Sequence, residues 1–247
     1  MTREHFFVVG AQRSGTTYLY ELLDAHPEIE MARPVRPEPK FFLHEATRDL
    51  GAADYEAACF DPGSTARVRG EKSTSYIESE AAAERIRAVF PDARIVFLLR
   101  EPAARAVSNY RFSVANGLET LSMWDAFARE EDRVGRYDAR AVSVSPFAYQ
   151  QRGHYVDYVD VYARIFPREA LHLMLHEDLV RGPDAIAALY AFLGVDSSFR
   201  PEVLGQVVNA TEGEALPAAA VESLRAVFAE SNARLAERYG LDLSAWR

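Results

Sequence analysis

The 247-residue sequence contains a single cysteine, Cys59. One cysteine excludes an internal disulfide and a cysteine-rich metal site, and it is typical of a reducing compartment. The longest apolar runs, such as Ile95–Leu99, have only a handful of residues, far fewer than the roughly 20 that a membrane span requires. The N-terminus also lacks the apolar region and small-residue cleavage site of a signal peptide. These absences predict a cytoplasmic protein that does not enter a membrane.

Positive charge is also scarce, with 28 Lys and Arg against 37 Asp and Glu and a net charge of −9. Since no basic run resembles a nucleic-acid-binding arm, we expect no nucleic-acid partner. Lysine is nearly missing, because all basic residues except Lys40 and Lys72 are arginine. The remaining composition is ordinary for a globular protein, and it predicts one domain over residues 1–247.

Short apolar runs rich in β-branched and aromatic residues alternate with stretches of helical periodicity. This pattern predicts an α/β protein with a central parallel β-sheet flanked by helices. The predicted strands are Phe6–Val9, Val68–Glu71, Arg94–Leu99 and Leu171–Leu175. The predicted helices are Gly15–Ala25, Ser79–Phe90, Ala103–Asn116, Ser122–Val134, Phe147–Phe166, Ala185–Leu193 and Ala218–Tyr239. The proline-rich segment Arg33–Lys40 is expected to be an irregular loop.

A glycine-containing loop joins the first predicted strand to the first helix, and its glycines have the spacing of a P-loop. In such a loop the backbone N–H groups point inward, and the helix adds the positive end of its dipole. Both features favour a bound phosphate, whereas the alternative is a glycine turn without a ligand. The predicted phosphate-binding residues are Gly10, Gln12, Arg13, Ser14, Gly15, Thr16 and Thr17.

The loop departs from the nucleotide-hydrolysing type at Thr16, which stands where a lysine reaches the β- and γ-phosphates. The strand Arg94–Leu99 is followed by Arg100, not by the aspartate that helps to hold Mg²⁺. This combination predicts a phosphate site without γ-phosphoryl chemistry and without a metal ion.

A second anion site is predicted at the helix that follows Arg100. Arg105 and Ser108 are three residues apart, so they share one face of that helix. Guanidinium and hydroxyl groups that converge there would bind a second phosphate through charge-assisted hydrogen bonds. For Arg105, a solvated position on an amphipathic helix is an equally good interpretation.

Together the two motifs resemble the sulfotransferases that use 3′-phosphoadenosine 5′-phosphosulfate (PAPS), and in pattern they are nearest to glycan-type, heparan-type and bacterial members. The loop Gly10–Thr17 is similar to the family's 5′-phosphosulfate-binding loop, and Arg100 and Ser108 match the arginine and serine of its 3′-phosphate motif. The segments Arg152–Pro167, Leu173–Leu179 and Phe192–Gly194 are similar to the family's C-terminal half, so the resemblance spans about residues 5–195. The resemblance implies a P-loop-like sulfotransferase fold and metal-independent transfer of a sulfuryl group, which leaves adenosine 3′,5′-bisphosphate (PAP).

The resemblance also implies roles for individual residues. Arg13 occupies a position where many members carry lysine; because arginine does not give up a proton, we expect it to supply fixed charge to the transferred group. Glu38 lies in a segment similar to the one that carries a catalytic glutamate in relatives acting on glycans, and burial beside Phe41 and Phe42 would tune it as a base. His154 is the second candidate base and His44 the third.

Lys72 lies in a segment similar to a lysine-containing stretch of the same relatives. Lys40 and Lys72 both fall in segments that we expect to line the acceptor side. A compact ammonium at these positions suggests that a planar guanidinium would not fit.

The sequence leaves the far end of the donor site and the acceptor open. Residues 201–224 contain no Lys, Arg or His, so backbone N–H groups, Asn209 and Thr211 are the candidates to close the 3′-phosphate site. The acidic balance favours a small molecule, a glycan or a carrier-bound acceptor. The alternatives are an atypical P-loop kinase or nucleotide hydrolase, and a nucleotide-binding module without catalysis.

Overall fold

A computed structural model describes residues 3–138, 143–205 and 216–246. The chain divides into two compact units. The sheet unit comprises Met1–Leu99 and Val161–Val208, and the helical unit comprises Arg100–Asp160 and Asn209–Arg247. Within the described ranges, no helix has both the length and the apolar character needed to cross a bilayer.

Helices separate the successive strands along the chain, as in other α/β proteins. The strands are β1 (Glu4–Gly10), β2 (Ile29–Met31), β3 (Val68–Lys72), β4 (Arg94–Leu99) and β5 (Leu171–Leu175). The helices are α1 (Thr16–Asp24), α2 (Ala52–Cys59), α3 (Glu80–Val89), α4 (Pro102–Ala115), α5 (Met123–Ala128), α6 (Glu130–Arg133), α7 (Tyr155–Ile165), α8 (His176–Arg181), α9 (Asp184–Leu193) and α10 (Ala218–Tyr239).

The five strands form one parallel sheet in the order β2-β3-β1-β4-β5. In the β1–β3 pair Val8 lies opposite Lys72, and in the β1–β4 pair Gly10 lies opposite Phe97. Because parallel strands end at the same edge, the register places the ends of β1, β3 and β4 side by side. Loops at this edge carry binding sites in open parallel sheets.

Both faces of the sheet are covered by apolar side chains, as is usual for a parallel sheet. Phe6 and Val8 of β1 belong to a core with Leu19 and Leu22 of α1, whereas Phe7 packs against the Phe42 and Tyr55 rings. Successive side chains of a strand point to opposite faces, which explains this division. The β1 strand is therefore fixed from both sides directly before the glycine loop.

The helical unit has a core of its own, formed by α4, α5, α10 and the turn before α7. Ala106, Phe127, Tyr149 and Phe228 are buried in it. A Cβ atom added at Gly153 would lie 2.4 Å from the Phe228 ring, so only glycine permits this close packing.

The predicted parallel sheet with flanking helices is confirmed, and the four predicted strands are present. Several helical and strand segments differ from the prediction. The helix predicted over Phe147–Phe166 begins only at Tyr155, because the residues before it form turns and a short 3-10 helix, Gln151–Gly153. Residues 122–134 form two short helices, α5 and α6, where one helix was predicted. Strand β2 and the helices α2 and α8 were not predicted.

Candidate active site

The glycine loop lies where the sequence predicts it, between the end of β1 at Gly10 and the start of α1 at Thr16. The Ala11 N–H donates to the Leu98 carbonyl at 2.8 Å, which ties the loop to the neighbouring strand β4. Arg13 (φ 66°) and Gly15 (φ 88°) have left-handed backbone conformations. Left-handed residues in such a turn direct successive N–H groups to one side and form a concavity for anions.

Ser14 gives the loop a feature that fits a bound oxyanion. Its side chain is fully buried, yet its hydroxyl has no hydrogen-bond partner in the structure. Buried hydroxyls are normally satisfied, because an unmade hydrogen bond is costly. The Thr16 side chain is nearly as buried, in the first turn of α1, where backbone N–H groups have no acceptor within the helix. This loop therefore has the donors that a phosphate group requires.

Gly15 is required for two independent reasons. Its φ of 88° is a conformation that other residues rarely adopt, and a Cβ atom there would lie 2.6 Å from Nδ1 of His176. His176 follows directly after β5, so the ends of β1 and β5 both contribute to the surroundings of the loop. His176 was not among the predicted site residues, since no motif marks it.

Glu38 and Lys72 form a direct ion pair, although 33 residues lie between them in the chain. The Lys72 ammonium donates to Oε1 of Glu38 at 2.7 Å. The Thr74 backbone N–H donates to Oε2 at 2.9 Å, and the Thr74 hydroxyl lies 3.0 and 3.1 Å from the two carboxylate oxygens. Lys72 is 5% exposed and Glu38 15% exposed, so the pair is largely shielded from water. Both residues were predicted to belong to the site, but their contact was not predicted.

This ion pair lies close to the glycine loop. The Gln12 side chain amide donates to the Ser75 hydroxyl at 3.4 Å, and Ser75 follows Thr74, which binds Glu38. The loop and the ion pair are thus connected through the short segment after β3. A carboxylate, an ammonium and a phosphate-type loop therefore occupy one edge of the sheet.

The carboxylate of Glu38 has polar contacts that the prediction did not include. We expected its carboxylate beside Phe41 and Phe42, but the rings of these two residues pack in an aromatic cluster with Tyr55. The carboxylate is held by Lys72 and Thr74. Glu38 is 15% exposed, in keeping with the expected partial burial, and its carboxylate is paired with a cation.

A second carboxyl group, that of Glu71, was not predicted to belong to the site and is fully buried. Its Oε1 accepts hydrogen bonds from the Ser73 hydroxyl at 2.5 Å and the Tyr76 hydroxyl at 2.7 Å. Burial raises the pKa of Glu71 from 4.5 to about 7, against the opposing effect of these hydrogen bonds. An acidic residue inside a central strand was the available signal, since such positions are normally apolar.

The predicted 3′-phosphate residues lie in the helical unit. Arg100 is half-buried and directly follows β4, and Ser108 is buried on α4. The Glu101 carboxylate accepts hydrogen bonds from the Ala103 and Ala104 N–H groups and so caps α4. Because the chain's own carboxylate occupies this helix terminus, an anion there would depend on the Arg100 and Ser108 side chains.

Arg105 was predicted to join this phosphate site, and the structure contradicts that prediction. Its side chain is fully buried and donates to the Asn109 side chain at 3.2 Å and to the Tyr149 carbonyl. A guanidinium enclosed by protein acceptors stabilises the helical unit and is not presented to a ligand.

His154 is half-buried in the helical unit, with its ring centroid 5.3 Å from that of Phe228. Glu38, Lys72 and the exposed His44 belong to the sheet unit. Asn209 and Thr211 lie outside the described residues. Among residues that the structure does describe, no group of three or more His, Cys, Asp and Glu side chains is arranged to hold a metal ion.

A family sequence model, the sulfotransferase domain, matches residues 3–224. The chain belongs to the sulfotransferase family. A sulfotransferase from Alicyclobacillus acidocaldarius resembles this family member in crystal structure over the whole of both chains, with 31% identity and a TM-score of 0.81. The sulfotransferase domain from the curacin biosynthetic pathway covers 98% of this chain and 99% of its own at 18% identity and a TM-score of 0.52, which shows a shared fold. The predicted P-loop-like sulfotransferase fold is confirmed.

Among curated relatives, heparan sulfate glucosamine 3-O-sulfotransferase 6 from Mus musculus is 27% identical over 189 residues. The match covers 76% of this sulfotransferase-family chain and 51% of the mouse protein. A bifunctional heparan sulfate N-deacetylase/N-sulfotransferase from Drosophila melanogaster is 27% identical over 77% of this chain and 19% of its own length. The chain thus spans about half the length of the mouse relative, and 19% of the length of the Drosophila relative.

Proposed function

We propose that this protein transfers a sulfuryl group from PAPS to a hydroxyl group of its acceptor, in preference to an amine. The observation that carries the proposal is the Glu38–Lys72 ion pair, which lies beside a loop with an unsatisfied buried hydroxyl at Ser14. A base and a phosphate-binding loop at one sheet edge are two elements that in-line transfer to an alcohol requires. Membership of the sulfotransferase family supports the same reaction.

PAPS supplies the group to be transferred: its sulfur–oxygen bond to the 5′-phosphate breaks as a bond to the acceptor oxygen forms. The loop residues hold the phosphate end through backbone N–H groups and the hydroxyls of Ser14, Thr16 and Thr17. Arg13 provides a fixed positive charge for the oxygen on which negative charge develops.

Glu38 takes the proton of the acceptor hydroxyl in this proposal. Thr74 and Lys72 orient its carboxylate, and the Lys72 ammonium balances its charge until the proton arrives. Once Glu38 is protonated, the ammonium is available to the oxygens of the transferred group. His154 and His44 remain alternative bases, and Glu38 is preferred because it contacts Lys72.

We assign the 3′-phosphate of the donor to Arg100 and Ser108, without Arg105. Binding of PAP and adenosine 5′-monophosphate (AMP) tests this assignment, since the two ligands differ only in that phosphate. Arg100→Gln is expected to reduce the affinity for PAP to that for AMP, about 10-fold or more for the loss of a charge-assisted contact. Ser14→Ala is expected to weaken both ligands equally. Equal effects of both variants on both ligands would contradict the assignment.

The activity itself is tested by consumption of PAPS in the presence of phenols, alcohols and oligosaccharides. Glu38→Gln keeps the size and hydrogen-bonding groups but removes the base, and we expect a loss of about 100-fold or more in kcat at unchanged PAP affinity. Tight binding of ATP with Mg²⁺, and not of PAP, would support a P-loop kinase or hydrolase. Tight PAP binding without turnover of any acceptor would support a non-catalytic module.

For the acceptor we propose a small molecule, a glycan or a carrier-bound hydroxyl compound, with neither nucleic acid nor a membrane as a partner. Two relatives are named for heparan sulfate, which supports including glycans in the acceptor panel. The net charge of −9 favours neutral or weakly charged acceptors over polyanions. A cytoplasmic location remains part of the proposal, and fractionation of cells that produce the protein tests it.

A further inference from the structure

A buried carboxyl group is linked by hydrogen bonds to the segment that follows Glu38. Glu71 lies in strand β3, next to Lys72 in the chain, and has no exposed surface. Successive strand residues point to opposite faces, so Glu71 and Lys72 serve different sides of the sheet. The mechanism proposed above gives Glu71 no role.

Two hydroxyl groups connect Glu71 to the backbone after Glu38. The Lys40 N–H donates to the Ser73 hydroxyl at 2.9 Å, and this hydroxyl donates to Oε1 of Glu71. The Phe42 N–H donates to the Tyr76 hydroxyl at 3.0 Å, which donates to the same oxygen. A hydroxyl has one proton to donate, so the carboxylate oxygen fixes the direction of both hydrogen-bond chains.

The segment needs such support because its backbone is unusual. Lys40 has a φ of 50°, in the left-handed region that residues with a side chain rarely occupy. Conformations of this kind persist where surrounding contacts hold them. The Lys40 N–H bond to Ser73 is one such contact, two residues after Glu38.

We propose that Glu71 is a positioning residue that acts through Ser73 and Tyr76 to fix residues 38–42 and thereby hold the Glu38 carboxylate against Lys72 and Thr74. Only the expected effect of Glu71 on turnover rests on the proposed function. The structural part of the inference, the support of the Lys40 and Phe42 amides, holds whatever reaction the site performs.

The test combines amide hydrogen exchange with steady-state kinetics for single variants. Ser73→Ala should speed exchange of the Lys40 amide and Tyr76→Phe that of the Phe42 amide, each by about 10-fold or more, because each removes one acceptor. Both variants should lower kcat by about 10- to 100-fold, since small displacements of a catalytic group are costly, while KM for PAPS stays within about 2-fold.

The Glu71 variants and a matched control complete the design. Glu71→Ala should speed hydrogen exchange of both the Lys40 and the Phe42 amides and lower kcat. Glu71→Gln should retain most of the kcat that Glu71→Ala loses, because an amide oxygen accepts the same two hydrogen bonds. Tyr190→Phe is the control for Tyr76→Phe: it removes another buried hydroxyl of the sheet unit, one that donates to the Leu22 carbonyl.

The proposal would be overturned if the Lys40 and Phe42 amides exchanged at the wild-type rate in all three variants, Ser73→Ala, Tyr76→Phe and Glu71→Ala. It would also be overturned if the wild-type enzyme were active and these variants kept its kcat. If Glu71→Ala does not fold, the two hydroxyl variants decide. If wild-type protein consumes no PAPS with any acceptor, the proposed function fails, and the exchange data still decide whether Glu71 supports the segment.

Discussion

Replacement of Glu71 by glutamine should change how the stability of the protein depends on pH. The carboxyl group is fully buried, and burial raises its pKa from 4.5 to about 7. The Ser73 and Tyr76 hydroxyls donate to it, Tyr55 and Cys59 of α2 face it, and the charge of Glu38 raises its pKa further. Glutamine keeps the accepting oxygen and never ionises.

The sign follows from proton binding. Between pH 4.5 and 7 the folded protein holds a proton on Glu71 that the unfolded chain has released. The stabilisation is therefore complete below pH 4.5 and is lost as the pH rises through 7. At roughly 1.4 kcal/mol for each pH unit, this step corresponds to about 3 kcal/mol of unfolding free energy.

The wild-type stability profile alone would not reveal this effect. Burial lowers the pKa of His5 and of His172 to about 4, so these residues contribute stability that is lost as the pH falls below 6.5. Their contribution opposes that of Glu71 over the same range. The difference between Glu71→Gln and wild type removes the histidine contributions, because both proteins contain them.

The assay is urea-induced unfolding of both proteins at intervals from pH 4.5 to 8.5. We expect the variant to gain about 3 kcal/mol relative to wild type across this range, or roughly 6–12 °C in melting temperature for a chain of this length. Glu84→Gln, on the exposed face of α3, is the control and should stay within about 0.5 kcal/mol of wild type throughout. A stability difference between Glu71→Gln and wild type that stays constant with pH would contradict the expected titration of Glu71.

Three further predictions concern the donor and acceptor sites. Lys72→Arg should keep the fold but lose about 100-fold in kcat, because a larger planar group must replace an ammonium 2.7 Å from Glu38. Initial rates measure the loss and circular dichroism checks the fold. Full activity of the variant would contradict the prediction. Ser14→Ala should weaken PAP binding by about 10-fold, as measured by calorimetry. The melting temperature should change little, since the Ser14 hydroxyl has no hydrogen-bond partner within the protein. An unchanged Kd would show that the hydroxyl does not bind phosphate. Arg105→Gln should lower the unfolding free energy by about 2 kcal/mol or more, because the contacts to Asn109 and Tyr149 are lost. The folded variant should bind PAP as tightly as wild type. Weakened PAP binding at unchanged stability would instead assign Arg105 to the phosphate site.

Much of the fold could be predicted from local patterns. The strand Arg94–Leu99 matches β4, and Ala218–Tyr239 matches α10, with Gly240 in the predicted cap position. These elements have strong periodicity and clear end signals. Strand β2 was missed because it has only three residues, Ile29–Met31, and is defined by its pairing with β3. A strand this short has too few residues to show a period.

The site was predictable to a different degree in its parts. The loop from Gly10 to Thr17 could be located because its glycine spacing and its position between strand and helix are both local features. Glu38 and Lys72 were selected by resemblance, but their contact depends on how segment 33–40 folds back over the end of β3. Arg105 was assigned to the wrong environment, since periodicity does not distinguish a buried helix face from one that faces a ligand.

Local features of the chain are enough to indicate the α/β architecture, the phosphate-type loop and the family resemblance, because each depends on residues close together in the sequence. The pairing of Glu38 with Lys72, the enclosure of Glu71 beneath the same segment and the burial of Arg105 arise only in the folded chain. Strand register and loop closure bring together groups that dozens of residues separate in the sequence. Charge pairing and burial follow from that assembly, and no local pattern encodes them.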